Sequence, residues 1–253
     1  MSLLEVKNLS VRYGERTVVD DLSFSVNSGD WLMIVGPNGA GKTSVVNAVS
    51  QTVASRGEVF FEGRNVKKIK PRQLAKSMGV LSQNHFVAYS FTVEDIIRLG
   101  RYPYSPRVFG SLSDGDREKI SRAVEMTGMK PFLTKPVTAL SGGELQRTFL
   151  AQVFAQDPRL LILDEPVNHL DLVYQKQTFE LVQKWLSQEG RAVISVVHDL
   201  SLAKAYGTHA LLMDRGRAVC MGRTADVLTN ERLCGVYSMD VAAWMKKMLS
   251  QWQ

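Results

Sequence analysis

The sequence predicts an α/β protein in which a mainly parallel sheet is interrupted by a helical stretch. The apolar runs WLMIV (Trp31–Val35), LLIL (Leu160–Leu163) and AVISVV (Ala192–Val197) do not alternate with polar residues. Such runs are typical of strands buried on both faces of a parallel sheet. Helical patterns follow these strands at residues 42–50, 175–187 and 200–206. This alternation of strand and helix indicates a parallel sheet covered by helices.

Two further strands are predicted nearer the amino end. LSFSV (Leu22–Val26) alternates apolar and polar residues, as a half-buried strand does. EVFFEG (Glu58–Gly63) has strand-forming residues followed by a turn residue.

The middle of the chain is predicted to be helical. From about Val93 to Gln156, the segments VEDIIRLG, DREKISRAVEMTG and GELQRTFLAQVFAQ show helical spacing, and no good strand is found. Asp114 and Asp116 stand where a helix start favours capping or acidic residues, and Gly128 is expected to end that helix. We therefore expect a helical subdomain inserted into the α/β core.

The composition of the 253-residue chain, 45% apolar and 22% charged, is ordinary for a soluble domain with a substantial core. Cys220 and Cys234 lack metal-ligand spacing and are expected to be reduced thiols. The net charge of +6 would suit nucleic acid, anionic lipid or a phosphate ligand, but the densest basic run, at 64–76, is expected to be a solvated face. No secretory signal and no apolar run of roughly 18 residues is found, so we expect any work at a membrane to require docking on partners that span it.

Residues 36–43, GPNGAGKT, fit the pattern G-x-x-x-x-G-K-[ST] where a strand gives way to a helix. Glycines let backbone N–H groups approach phosphate oxygens, and the helix start adds the positive end of its dipole. Lys42 can then reach the β- and γ-phosphates of ATP, and Thr43 can bind Mg²⁺. The predicted nucleotide-binding residues are Gly36, Pro37, Asn38, Gly39, Ala40, Gly41, Lys42, Thr43 and Ser44. By itself this motif indicates only that the chain is a P-loop NTPase.

Two carboxylates, Asp164 and Glu165, follow the apolar strand LLIL. Ligands of an open α/β sheet bind beyond the carboxyl ends of its strands. Asp164 is therefore expected to face, through water, the Mg²⁺ that is bound at Thr43. Glu165 is expected near the γ-phosphate, as the general base that orients or deprotonates the attacking water.

The segment LSGGELQR (Leu140–Arg147) predicts a second anion-binding site. Ser141 and the two glycines after it stand at the start of a helix, where backbone N–H groups and the helix dipole attract negative charge. Between a phosphate loop and a carboxylate strand, this segment resembles the signature motif of ATP-binding-cassette (ABC) ATPases. The signature residues are Ser141, Gly142, Gly143 and Glu144.

The resemblance covers nearly the whole chain, with several motifs in the family's order. It implies a P-loop NTPase core with a mainly parallel sheet, an antiparallel β portion at the amino-terminal side and an inserted helical subdomain. Residues 1–253 would form one ABC ATPase domain, with the helical subdomain at approximately 84–156.

The resemblance also assigns roles to four more residues. Tyr13 matches the aromatic residue that stacks on adenine, and an aromatic face can bind a base without reading its hydrogen bonds. Gln83 matches the glutamine that contacts Mg²⁺ or the attacking water and relays motion to the membrane partner. Asp171 matches the loop that crosses to the opposite subunit, and His198 matches the switch histidine that hydrogen-bonds the γ-phosphate. The histidines expected to be structural are His85, His169 and His209.

The family arrangement implies a homodimer in which each ATP is bound between the phosphate loop of one subunit and the signature of the other. Hydrolysis removes the contact of His198 and Ser141 with the γ-phosphate, so that the dimer can open. The implied partners are membrane-spanning permease subunits, contacting a groove between Gln83 and the helical insert, and through them a substrate-binding protein. The chain is then expected at the cytoplasmic face of the cell membrane, with no specific nucleic acid.

Three segments resemble the importers of iron–siderophore, haem and cobalamin complexes: LGRYPY (Leu99–Tyr104), NHLDLVYQ (Asn168–Gln175) and LCGVYSMDV (Leu233–Val241). They are also compatible with packing and surface features shared by many ABC ATPases. Val167 departs from that branch, which commonly has a hydroxyl residue there, but no chemistry is assigned to the position. Every residue assigned to catalysis is present, which argues against a subunit that only binds ATP. The resemblance to this branch implies that the ATPase energises import of a metal chelate.

Other hypotheses stay open at this point. A soluble ABC ATPase acting on nucleic acid or ribosomes fits the basic charge, but the chain holds one cassette and no long coiled-coil insertion. The ATPase of an ABC exporter is a further alternative, although such cassettes are often fused to their membrane domain. LSGGELQR argues against a kinase or another P-loop enzyme. The tail AWMKKMLSQWQ could pack on the domain or help the chain dimerise.

Overall fold

A computed structural model of the protein describes residues 2–82, 91–104, 112–168 and 170–252. The chain packs as two compact units, one formed by Met1–Asn65 with Ser195–Gln253 and the other by Val66–Ile194. Gln83, His85 and His169 lie outside the described residues. One domain with a helical insertion at about 84–156 stays a prediction.

The first unit contains a four-stranded antiparallel sheet. Strand β1 (Ser2–Tyr13) pairs with β2 (Arg16–Asn27) on one side and with β4 (Arg56–Phe61) on the other, and β5 (Arg64–Asn65) extends beyond β4. Within β2 the apolar residues of LSFSV are buried and both serines are exposed, which confirms the predicted alternation. The antiparallel portion at the amino-terminal side is therefore confirmed.

In the first unit, β3 (Trp31–Val35) pairs parallel with β9 (His209–Asp214), and every residue of β3 is buried. Strand β10 (Arg217–Arg223) pairs antiparallel with β9. Helix α1 (Lys42–Val49) follows β3, and α7 (Leu200–Tyr206) precedes β9, in agreement with the predicted helices. Neither β9 nor β10 is among the strands expected from the sequence.

The second unit contains a parallel strand pair covered by helices. Strand β6 (Met78–Leu81) runs parallel to β7 (Leu160–Asp164), all of which is buried. Helix α2 (Pro71–Ser77) precedes β6 and α6 (Leu172–Leu186) follows β7. The predicted strand LLIL and the helix predicted after it are therefore confirmed.

Strand β8 (Ala192–Val196) begins in the second unit and ends in the first. In the second unit the N–H of Ala192 donates to the carbonyl oxygen of Arg159 (2.9 Å). In the first unit the N–H of Val197 donates to the carbonyl oxygen of Ile34 (3.2 Å). All of β8 is buried, as its uninterrupted apolar sequence predicts.

Three helices form the middle of the chain: α3 (Val93–Leu99), α4 (Asp114–Thr127) and α5 (Gly142–Gln156). Within the described part of 93–156 the structure contains no strand, as predicted. Each helix begins with a capping box, in which a hydroxyl and a carboxylate satisfy backbone N–H groups of the first turn. Asp116 is the carboxylate of the α4 box, and Gly128 ends α4 in the left-handed conformation, so both predicted boundaries are confirmed.

The carboxyl-terminal part folds into the short helices α8 (Thr224–Val227), α9 (Asn230–Tyr237) and α10 (Val241–Leu249). Trp244 in α10 is 49% exposed and Trp252 is 87% exposed, so much of the apolar surface of the tail faces outward. None of the described helices is long and apolar enough to cross a membrane.

A buried arginine links α3, α4 and α5 in the second unit. Arg101 follows α3 and is 7% exposed. Its Nε lies 2.8 Å from Asp116 Oδ1 at the start of α4, and its Nη1 donates to the carbonyl oxygen of Ala155 near the end of α5 (2.8 Å). The guanidinium also lies 3.7 Å from the centre of the Tyr104 ring. The segment LGRYPY therefore has a structural role in holding together α3, α4 and α5, which form the helical part of the second unit.

We expect Arg101→Ala to lower the free energy of unfolding by about 3 kcal/mol, because it leaves the Asp116 carboxylate largely buried without its partner. The matched control is Arg98→Ala. Arg98 lies 3.9 Å from Glu94 on the exposed face of α3, and such pairs contribute less than about 1 kcal/mol. Urea denaturation measures both changes, and equal losses would contradict the role assigned to Arg101.

Candidate functional site

The phosphate loop connects the end of β3 to the start of α1. Gly41, at the N-cap of α1, takes φ +95°, and no side chain caps this helix start. A Cβ at Gly41 would lie 2.7 Å from the carbonyl oxygen of Val18, so a larger residue does not fit there. Because backbone N–H groups of a first helical turn point out of the helix, α1 directs them and its dipole at the loop. This geometry suits a phosphate group.

Lys42 lies within the curve of the loop. It is 5% exposed, and its Nζ donates to the carbonyl oxygens of Gly36 (2.8 Å) and Pro37 (3.0 Å). Asn38 and Gly39 form the exposed tip. A cation held this way is placed to attract an anion to the loop. The remaining loop residues are Ala40, which is buried, and Thr43 and Ser44, which are partly exposed in the first turn of α1.

Two other predicted ligand residues lie in the same unit. Tyr13 ends β1, is paired with Arg16 across the turn to β2, and is 48% exposed. His198 is exposed and follows β8 after Val197, whose N–H donates to Ile34 in β3. Since the phosphate loop begins directly after β3, His198 and the loop follow the ends of neighbouring strands.

Asp164 is the last residue of the buried strand β7, and Glu165 directly follows it. Asp164 is 4% exposed, and Glu165 takes a left-handed φ of +53°. A non-glycine residue in this conformation costs about 1–2 kcal/mol, which surrounding contacts must offset. Asn168 Nδ2 donates to Glu165 Oε2 (2.9 Å), and Gln146 Nε2 of α5 donates to the carbonyl oxygen of Pro166 (2.7 Å). The turn that carries Glu165 is thus held at its side chain and at its backbone.

The signature segment forms the start of α5, as predicted. Ser141 is the N-cap: its Oγ accepts from the N–H of Glu144 (3.3 Å), and its own N–H donates to Glu144 Oε2 (2.8 Å). The backbone N–H of Ser141, with its hydroxyl, lowers the pKa of Glu144 below its usual value. The Glu144 carboxylate is therefore ionised at neutral pH and acts as the acceptor of the capping box at the start of α5.

Asp171 and the signature lie side by side in the second unit. Asp171 Oδ1 accepts from the N–H of Tyr174 (3.0 Å) and so caps α6. The Tyr174 ring packs directly on Gly143, where any Cβ would overlap the ring. The guanidinium of Arg147 lies 5.4 Å from the centre of the same ring. This contact fixes where the start of α6 lies against the start of α5.

The structure groups the predicted residues by unit. Tyr13, the phosphate loop and His198 belong to the first unit, and the two carboxylates, the signature and Asp171 belong to the second. Gln83, predicted to contact Mg²⁺ or the attacking water, lies outside the described residues.

Sequence reasoning missed four residues of the site. Gln146, Asn168 and Tyr174 lie inside the segments LSGGELQR and NHLDLVYQ, but nothing in those segments shows which group each of them contacts. The fourth is Tyr237, in LCGVYSMDV. Burial raises the pKa of Tyr237, and the nearby backbone of Gly36 partly offsets this effect. An aromatic residue in a distant helix thus lies near the phosphate loop.

The side chains present fit ATP with Mg²⁺. The Thr43 hydroxyl and the Asp164 carboxylate are hard oxygen donors, the kind that Mg²⁺ prefers. Across the described ranges no group of three His, Cys, Asp or Glu residues could hold a metal ion. Mg²⁺ in nucleotide sites is commonly held by one or two protein oxygens together with phosphate oxygens, so even the Thr43 hydroxyl beside the phosphate loop suits a metal that binds with the nucleotide.

Comparison with known proteins agrees with this chemistry. The ABC transporter family matches residues 19–168. YvrA of Bacillus subtilis (strain 168), an uncharacterized ABC transporter ATP-binding protein, is 38% identical over 241 residues, which are 95% of this chain and 54% of YvrA. The chain therefore spans about half the length of that relative. The iron(3+)-hydroxamate import ATP-binding protein FhuC of the same organism is 34% identical over 241 residues, 95% of this chain and 89% of FhuC. Other relatives are hemin and cobalamin import ATP-binding proteins.

The fold is also that of a solved ATP-binding cassette. The ADP conformation of MJ1267, an ATP-binding cassette of an ABC transporter, is similar with a TM-score of 0.83 and 23% sequence identity, over 94% of this chain and 98% of that one. A likeness at this identity concerns the fold, whereas the family match and the relatives concern the sequence itself. This chain belongs to the ABC transporter family, as an ATP-binding subunit of the kind that hydrolyses ATP.

Proposed function

We propose that the chain is the nucleotide-binding subunit of an ABC importer and that it dimerises around two molecules of Mg–ATP. The observation that carries this proposal is that one chain holds two helix starts of different construction, each of which could bind an anion. One is the phosphate loop with the buried Lys42, and the other is the helix start at Ser141. A two-fold axis would let each ATP use the loop of one subunit and the signature of the other.

Glu165 is the proposed general base. Its carboxylate is oriented by the Asn168 amide, and its turn is held by Gln146, so it can direct one water at the γ-phosphate. Lys42 stabilises the charge that develops on the γ-phosphate oxygens. Mg²⁺, when bound, neutralises phosphate oxygens, with Thr43, Asp164 and Gln83 as its proposed contacts.

The dimer is proposed to open after hydrolysis. His198 and the partner's signature would both contact the γ-phosphate, and loss of this group removes both contacts. Asp171 caps the helix start at Tyr174, and the Tyr174 ring packs on Gly143 of the signature. The proposed loop around Asp171, which would face the second copy, is therefore coupled to the position of the signature.

We further propose that permease subunits dock on the helical part of the second unit, at the cytoplasmic face of the membrane. A cavity of about 1000 Å³ there lies between α3, α4 and the segment after α4. Leu112, Ile120, Val124 and Leu133 give it apolar walls, and Arg98 is among the charged side chains that line it. Such a surface suits an amphipathic helix of a partner. A substrate-binding protein would act through the permease.

The proposed cargo is a metal chelate, of the iron–siderophore, haem or cobalamin type. The support is that relatives covering nearly the whole chain are named for import of iron(3+)-hydroxamate, hemin and cobalamin. The internal role of Arg101 shows that LGRYPY contributes packing, so this segment is weaker support than the relatives are.

We expect Glu165→Gln to abolish ATP hydrolysis and retain ATP binding, because it removes the base and keeps the shape and the Asn168 contact. The variant should also shift to a dimer on size exclusion with Mg–ATP. Glu180→Gln, on the exposed face of α6, is the matched control and should hydrolyse ATP at the parent's rate. Hydrolysis by Glu165→Gln at the parent's rate would show that Glu165 is not the base.

Reciprocal sites can be tested by mixing two defective chains, each of which also carries Glu165→Gln. One chain carries Lys42→Ala, which disables the loop, and the other carries Ser141→Arg, which disables the signature. Neither homodimer then has a complete site. A mixed dimer has one, and random pairing should restore about a quarter of the ATP retained by Glu165→Gln alone. Filter retention of labelled ATP measures this. No recovery, with mixed dimers verified by a tag on each chain, would contradict the sandwich.

The cargo is tested in cells that lack this chain. Returning the parent chain should restore uptake of a labelled ferric siderophore, hemin or cobalamin, and Glu165→Gln, expressed to the same level, should restore none. Normal uptake of all three chelates by cells lacking the chain would contradict the proposed cargo.

A further inference from the structure

The turn between β9 and β10, residues 213–217, contacts the phosphate loop through its backbone. The N–H of Gly216 donates to the carbonyl oxygen of Ala40 (3.1 Å). At the other end of the loop, a Cβ added to Gly36 would overlap the carbonyl oxygen of Met213. The turn therefore touches the loop at both Gly36 and Ala40, with no flexible side chain in between.

The opposite side of the same turn contacts β2. The N–H of Asp20 donates to the carbonyl oxygen of Gly216 (2.9 Å), so the Gly216 peptide region bonds to the loop and to β2 at once. Arg217 Nη2 lies 2.5 Å from Asp20 Oδ2 and adds an ion pair across this junction. Gly216 takes φ +82°, and a Cβ there would overlap the carbonyl oxygen of Val18.

Val18 joins these contacts into one cluster. Its carbonyl oxygen faces Gly216 and also Gly41, where an added Cβ would lie 2.7 Å away. Val18 belongs to β2, and β2 starts at Arg16, the residue paired with Tyr13. The hairpin that carries Tyr13 and the loop that would bind phosphate are thus both packed against one turn.

We propose that the β9–β10 turn is a positioning segment that sets the distance between the adenine-stacking Tyr13 and the phosphate loop. ATP has a limited span from base to phosphates, and a misplacement of about 1 Å can cost on the order of a hundredfold in the rate of the reaction that the bound molecule undergoes. Contacts between backbones transmit a shift more directly than flexible side chains do. This inference rests on the proposed roles of Tyr13 and the loop.

The chain provides a matched control for the key glycine. Gly29 takes φ +86°, close to the value at Gly216, but a Cβ there would meet no atom within 4 Å. Gly29→Ala and Gly216→Ala therefore introduce the same kind of backbone strain. Only Gly216→Ala also pushes β2 and the turn apart.

The test compares two probes by titration calorimetry on the full chain with Mg²⁺: ATP, which needs both ends of the site, and inorganic tripolyphosphate, which needs only the loop. We expect Gly216→Ala to weaken ATP binding about tenfold and tripolyphosphate binding by less than about twofold. Gly29→Ala should leave both affinities unchanged. Lys42→Ala should weaken both probes, which verifies that tripolyphosphate reports on the loop.

Parent-like ATP affinity in Gly216→Ala would overturn the inference, and so would an equal loss of both probes, because the turn would then shape the loop alone. If Gly216→Ala does not fold, Arg217→Asp takes its place. It should weaken ATP about threefold and spare tripolyphosphate, and adding Asp20→Arg should restore ATP binding. No loss in Arg217→Asp would overturn the inference. Failure of the parent itself to bind ATP would instead overturn the proposed function, together with this inference.

Discussion

The phosphate loop depends on its neighbours for its shape, because the glycines that expose its backbone leave it with few side-chain contacts of its own. Backbone groups from other segments contact it: the Met213 carbonyl at Gly36, the Val18 carbonyl at Gly41 and the Gly216 N–H at Ala40. Met213 and Gly216 belong to the segment around the β9–β10 turn, which lies far along the chain from the loop. The motif is therefore a short stretch of sequence, but its structure depends on contacts with residues elsewhere in the first unit.

In the second unit, polar contacts hold the residues that the chemistry would use. Glu165 is in a left-handed conformation, and Asn168 and Gln146 offset the cost by bonding to its side chain and to the next residue. Gln146 lies on α5, the helix that begins with Ser141. One rigid helix therefore carries both the signature and a support for the proposed base. A displacement of α5 would move the two together.

Much of the fold was predictable because periodicity is a local property. The helix at 200–206 was predicted with its observed bounds from its helical pattern, and in the structure Asp199 caps its start. Helix α6 begins at Leu172, three residues before the predicted 175, because Asp171 caps it. From the sequence, Asp171 was assigned only to a contact with the opposite subunit. Strands β1, β9 and β10 were not among the predicted strands, although HALLMD in β9 is largely apolar.

The predicted site residues came from motifs, whereas the residues that hold them in place depend on tertiary contacts. Nothing in LSGGELQR indicates that the Gln146 amide bonds to Pro166, 20 residues further along the chain. In the same way, the Gly216 contact with Ala40 joins segments that are distant in sequence. The roles of residues within a motif could be predicted from the sequence, whereas the contacts that hold one motif against another could not.

The burial of Arg101 has a consequence for how the helical part folds. The guanidinium can leave water at low cost only when both Asp116 and the Ala155 carbonyl are in place, because either one alone leaves charge or donors unsatisfied. An intermediate with two of the three helices docked is therefore penalised relative to the fully docked and fully undocked states. The contact makes assembly of α3, α4 and α5 cooperative, so a truncation or an insertion that separates one of them destabilises all three.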